Sequence, residues 1–80
     1  MKLTILQPKG TVFSGEVESV TLPGKKGLFT VLNGHAAIIT SLQSGEIKYS
    51  VKGNDDSKTT KVVNGGFVKV MRNSVSVCIN

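Results

Sequence analysis

The chain is predicted to be all-β, an antiparallel β-sandwich of two roughly five-stranded sheets, and three observations predict it. Turn-forming clusters recur about every eight to twelve residues along the whole length, the spacing of an antiparallel sandwich or barrel. Ile47, Tyr49 and Val51 alternate strictly with Glu46, Lys48, Ser50 and Lys52, the period of two that marks a half-buried strand with one wet face. No window makes a convincing helix: across Ala36 to Leu42, the nearest case, Ile-Ile-Thr and the flanking glycines favour a strand. Eighty residues allow one domain, spanning 1–80, and with 39% hydrophobic residues, three Phe and no Trp the core must be built of Val, Ile and Leu.

Taken in order, Lys2 to Gln7 puts Leu3 and Ile5 on one parity and ends at Pro8, which cannot donate to a ladder. Lys9-Gly10 then turns the chain into a long strand. Along that strand Val17 and Val20 fall on opposite parities, so the apolar face switches between them and predicts a bulge or corner where one strand passes from one sheet to another. Pro23-Gly24 reads as a turn, and Asn33-Gly34 as a tight reversal before His35 and the apolar run Ala36 to Ile39. Phe13 to Gly45 carries five of the nine glycines, and it is expected to present its turns at one end of the sandwich. Gly53-Asn54-Asp55-Asp56 is a polar turn, Lys58 to Val63 is extended, and Asn64-Gly65-Gly66 is a further reversal. Phe67 to Met71 and Val75 to Ile79 pair as a last hairpin across Arg72-Asn73-Ser74.

Ten Lys or Arg against five Asp or Glu give a net charge of +5, which favours anionic partners within a Debye length without naming one. Cys78 is the one cysteine, so no intrachain disulfide forms and a reducing compartment is expected. The apolar run at the N-terminus is broken by Pro8 and is too short for a signal sequence or a membrane span. The chain is therefore expected to be soluble and retained in the cell.

Reactive chemistry finds little to work with. His35 and Cys78 are the one His/Cys pair available, without the third orienting group that a nucleophile and base require. No metal-ligand cluster has usable spacing, and Asp55-Asp56 reads as a solvated turn. Glu16 and Glu18 share an exposed strand face, which carries solvent rather than acid/base work. The glycines open no helix and precede no phosphate-loop Lys-Ser/Thr pair. No catalytic, metal or nucleotide site and no cofactor is expected. The alternative class is a small basic β-barrel that binds single-stranded nucleic acid, which needs cations interleaved with stacking aromatics. Phe13, Phe29, Tyr49 and Phe67 are the whole aromatic complement, and Tyr49 shares its parity with core residues, so the platform is missing.

At FSGEVESVTLPGKKG, NGHAAIITSLQSGEI and NGGFVKV the chain resembles the N-terminal β-sandwich domain of the epsilon subunit of F-type ATP synthase, over essentially all of its length. The resemblance implies a ten-stranded sandwich of two five-stranded sheets. It also implies a non-catalytic part of the central stalk, or rotor, placed between the gamma subunit and the c-ring and coupling proton translocation to ATP synthesis. Its place would be peripheral, at the bacterial cytoplasmic face of the inner membrane, without lipid insertion and without nucleic acid. Carried over by position, Lys25, Lys26, Gly27, Leu28, Phe29 and Thr30 are expected to face the c-ring. Asn33, Gly34, His35 and Ala36 are expected to meet rotor partners, and Leu42, Val77 and Gln7 to pack on gamma. The chain departs from the family pattern at Asn33 and Ala37, where prolines are common, implying a less rigid loop, and at Leu28 and Thr30, where an acidic residue and a Gly are common. The two-helix C-terminal domain of most bacterial relatives, which inhibits hydrolysis, is absent from these 80 residues.

Overall fold

A computed structural model describes residues 1–51 and 57–80. These contain eight strands and no helix: β1 (Lys2–Gln7), β2 (Gly10–Gly24), β3 (Gly27–Leu32), β4 (Ile38–Leu42), β5 (Gly45–Val51), β6 (Ser57–Val62), β7 (Gly66–Met71) and β8 (Ser74–Ile79). The turn expected at Gly53 to Asp56, its Asp55-Asp56 pair and the wet-face Lys52 lie outside the described residues.

The 15-residue β2 organises everything else. Its first half pairs with β1, from Lys2↔Glu16 to Gln7↔Gly10, while its second half pairs with β3 on one side and β5 on the other. Counting β2 in both layers, one sheet runs β4-β7-β8-β1-β2 and the other β3-β2-β5-β6. The ten strands that the resemblance implied are thus eight among the described residues, with one shared. Between Val17 and Ser19 the register against β5 slips by a residue, and Glu18 is the extra one. This bulge lets Val17 and Val20, of opposite parity, both point inward at 1% and 0% exposure. The corner is the one expected from the parity break.

Apolar side chains of both sheets meet in a single core that includes Leu3, Ile5, Val20, Leu22, Ile47, Val68 and Val75. Each is fully or almost fully buried, and filling a sandwich this way is what a Val/Ile/Leu composition does well. Tyr49 is the one core residue with a polar end. Its ring lies 4.6 Å from that of Phe13, and its hydroxyl is 3.1 Å from Thr60 Oγ1.

Within the antiparallel sandwich one pairing among the described residues is parallel, that of β1 with β8. β2 already holds one edge of β1 antiparallel, and the β7–β8 hairpin delivers β8 to the other edge in the same direction. Two expectations need correction. The reversal expected at Pro23-Gly24 falls at Lys25-Lys26, because Pro23 and Gly24 stay in β2, paired with Leu28 and Gly27. The inward pair Leu22↔Phe29 just before them holds the two strands together to their last residues. Finally, the Lys25-Lys26 and Asn33-Gly34 turns lie at opposite ends of β3 rather than at one end, separated by six residues of strand, a span of about 20 Å.

Candidate functional site

The β2–β3 tip is a hairpin closed by Gly24↔Gly27. Gly27 has φ 129°, a value that an L side chain resists. The tip is braced against the end of β4 and the β4–β5 connection by three hydrogen bonds. The Lys25 amide donates to Ser41 O at 3.0 Å, the Gln43 amide donates to Pro23 O at 2.9 Å, and Gln43 Nε2 donates to Gly24 O at 2.9 Å. Together with the bridge Gly24↔Leu42, these bonds tie the free end of one sheet to the other.

Beside the tip, where edge strand β3 of one sheet faces edge strand β4 of the other, an open cleft of about 260 Å³ is lined by Gly24 through Phe29 with Ile38 and Thr40. Phe29 is its inner wall, half-buried and packed against the core. Gly24 sits so close to this ring that a Cβ there would come within 2.8 Å of two ring carbons. Leu28 stands out beside the cleft at 74% exposure. Thr30 points outward with its hydroxyl 2.8 Å from that of Thr21, and Lys25 and Lys26 are exposed with no ion-pair partner among the described residues.

The second predicted segment is a turn of a different kind. The His35 amide donates to Leu32 O at 3.1 Å, and Gly34 at φ 83° takes the position where such a turn demands a positive φ. β3 and β4 are not paired with one another, so this turn opens a crossing from one sheet to the other rather than closing a hairpin. Half-buried His35 places Nδ1 2.7 Å from Ala36 O. A carbonyl only accepts, so Nδ1 carries the proton in this bond. Asn33, Gly34 and Ala36 are exposed.

The remaining predicted residues divide. Gln7 is exposed at the end of β1. Leu42 and Val77, expected to pack on gamma, are corrected: they are 5% and 0% exposed within the core, because β4 and β8 turn those positions inward against the opposite sheet. Sequence reasoning missed Ile38, Thr40 and Gln43, whose part in the site depends on β4 crossing over to lie beside β3. No local pattern announces that crossing. The site offers apolar and cationic surface, a few hydroxyls and one imidazole. Among the described residues no three His, Cys, Asp or Glu gather as a metal site, and no helix is long and apolar enough to cross a membrane.

The aromatics speak against a stacking platform. Tyr49 is buried, Phe13 and Phe29 are packed against the core, and Phe67 is the exposed one of the four at 51%. Base stacking needs several exposed rings in a cationic groove.

Comparisons with known proteins agree with this architecture. The family described as "ATP synthase, Delta/Epsilon chain, beta-sandwich domain" matches residues 1–80. An ATP synthase epsilon chain of Wolinella succinogenes is 47% identical over 78 residues, covering 96% of this chain and 57% of that one. An epsilon chain of Chlorobium limicola is 42% identical over 72 residues, covering 90% of this chain and 80% of that one. Against the first relatives compared, this chain spans 53% to 59% of their length. Among solved structures, a chain of the Euglena gracilis mitochondrial ATP synthase OSCP/F1/c-ring assembly superposes with a TM-score of 0.86 at 23% identity, covering 96% of this chain and 48% of that one. One from the Tetrahymena thermophila mitochondrial ATP synthase central stalk and c-ring gives 0.80 at 20% identity, covering 99% and 62%. At such identities the likeness is one of fold. The family match over residues 1–80, with the relatives at more than 40% identity, places this chain in the family of ATP synthase delta/epsilon chain β-sandwich domains.

Proposed function

We propose that this domain is a non-catalytic rotor element of an F-type ATP synthase. In this reading the β2–β3 tip, Lys25 to Thr30, faces the c-ring, and the turn Asn33 to Ala36, with Gln7 in a lesser role, faces gamma. Membership of the family supports the assembly. The observation that carries the choice of surface is the distribution of exposed apolar side chains. Of the nine large ones among the described residues, Leu28 at the β2–β3 tip is the most exposed at 74%, and Leu32, next to the second turn, is 59% exposed. Large apolar side chains left uncovered at both ends of β3 are suited to contact with a partner. A rotor joint needs a stiff body and a shape-matched surface, not a reactive group. The described bracing at Pro23, Gly24 and Gln43 supplies stiffness where the tip would take load.

Coupling of proton flow to ATP synthesis would follow from the domain's place between gamma and the ring, at the cytoplasmic face of a bacterial membrane. The test is assembly with purified gamma and c-ring, using the double substitution Gly34→Ala with His35→Ala. The expected result is loss of retention on gamma and uncoupled hydrolysis, while the isolated domain still melts cooperatively at a Tm lowered by the strain of a side chain at φ 83°. Unchanged retention and coupling would remove the turn from the interface. For the nucleic-acid alternative no specific observation speaks.

A further inference from the structure

We infer that the cleft beside the β2–β3 tip receives a loop of a protein partner that offers an apolar side chain with a carboxylate next to it. This rests on the reading of the tip as a surface facing the ring and adds the chemistry of what it would hold. Two observations carry it. The cleft, about 260 Å³ and lined by Phe29 and Ile38 beside Gly24, is an open, mainly apolar space with room for a branched aliphatic side chain. Gly24 has no Cβ, so the Phe29 ring lies against its backbone and forms the wall; a Cβ there would come within 2.8 Å of the ring. At its rim stand Lys25 and Lys26, exposed and without ion-pair partners among the described residues. Two neighbouring cations at a concave apolar site attract an anion and repel a cationic loop.

The concavity favours a peptide over a lipid surface. A segment that enters a bilayer interface puts its apolar side chains outward on a convex face, whereas Phe29 lines an indentation and is packed against the core. Leu28, exposed at 74%, extends the apolar lip and gives the backbone of an entering loop something to cover. The carboxylate selects through the lysines, and the apolar residue seats the loop.

The test titrates the 80-residue chain with a cyclic peptide displaying Leu-Asp at its turn and follows backbone amides by NMR. Controls display Leu-Asn or Gly-Asp, and phosphatidylglycerol vesicles form a separate arm. The expected result is saturable shifts confined to residues 24–29, 38 and 40, weakened about fivefold or more by either control. The double reversal Lys25→Glu with Lys26→Glu should weaken Leu-Asp binding about tenfold or more. Equal binding of Leu-Asn, shifts mapping elsewhere, or perturbation of the tip by vesicles but not by peptide would each overturn the inference. Co-sedimentation with an isolated c-ring separates the two readings. Ring binding that survives the double reversal overturns the proposed chemistry and leaves the ring assignment standing. Charge-dependent peptide binding without any ring binding upholds the chemistry and removes the ring as the partner.

Discussion

Substituting Gly24 by Ala sets two physical effects against each other, and the structure decides which prevails. Gly24 lacks a positive φ, so alanine fits the backbone there and, by restricting the unfolded chain, would ordinarily add about 0.4–1 kcal/mol of stability. The new methyl, however, would sit 2.8 Å from Phe29 Cδ1 and Cε1 and 2.9 Å from Gly27 O. The ring can swing aside, into the cleft it now walls. Gly27 O is backbone, held opposite Gly24 by the strand pairing, and can retreat only by opening the end of the hairpin. Overpacking of this kind costs about 1–3 kcal/mol, which exceeds the entropic gain and leaves a net loss of about 1 kcal/mol. For a domain of this size that lowers Tm by about 4–8 °C. Circular dichroism melts measure the loss, and the Phe29 ring resonances should move with it. A Tm that rises with unmoved Phe29 resonances would refute the close approach on which the cleft is built.

The remaining substitutions test separate parts of the structure. Val77→Ala removes two methyls from a site at 0% exposure and should cost about 2 kcal/mol or more; an unchanged melt with lost binding to gamma would return Val77 to the surface. Gln43→Ala removes the 2.9 Å bond to Gly24 O, a loss of about 0.5–1.5 kcal/mol, and should speed hydrogen exchange of the Lys25 amide, so unaltered exchange would count against Gln43 as the brace. Tyr49→Phe gives up the 3.1 Å contact with Thr60 while keeping the ring against Phe13, and a cost beyond about 1.5 kcal/mol in a denaturant titration would show that the hydroxyl does more than this bond.

Some of this molecule was legible residue by residue, and the reason is local. A strand has a period of two, so two inward valines three apart, Val17 and Val20, require an extra residue between them, and Glu18 is that residue. Ile47 and Tyr49, alternating with Glu46, Lys48 and Ser50, announced their burial in the same way. What local pattern could not carry was the choice of partners. Asn33-Gly34 has the composition of a hairpin turn, yet β4 pairs with β7 and touches β2 only at Gly24. The cleft arises because that choice lays Ile38 and Thr40 alongside Phe29. Leu42 and Val77 were misplaced for a related reason. A valine or leucine in an alternating strand has two possible sides, and the opposite sheet selects one of them.

Whether this domain serves as a contact element is tested most directly by installing a photo-crosslinking residue at position 28 in the assembled rotor. Position 63 is the control, since Val63 is also exposed, at 68%, but lies outside both proposed segments. Irradiation should join position 28 to a c-ring subunit, with position 63 left unlinked. An assembly that retains the domain yet links through position 63 and not through position 28 would contradict the account.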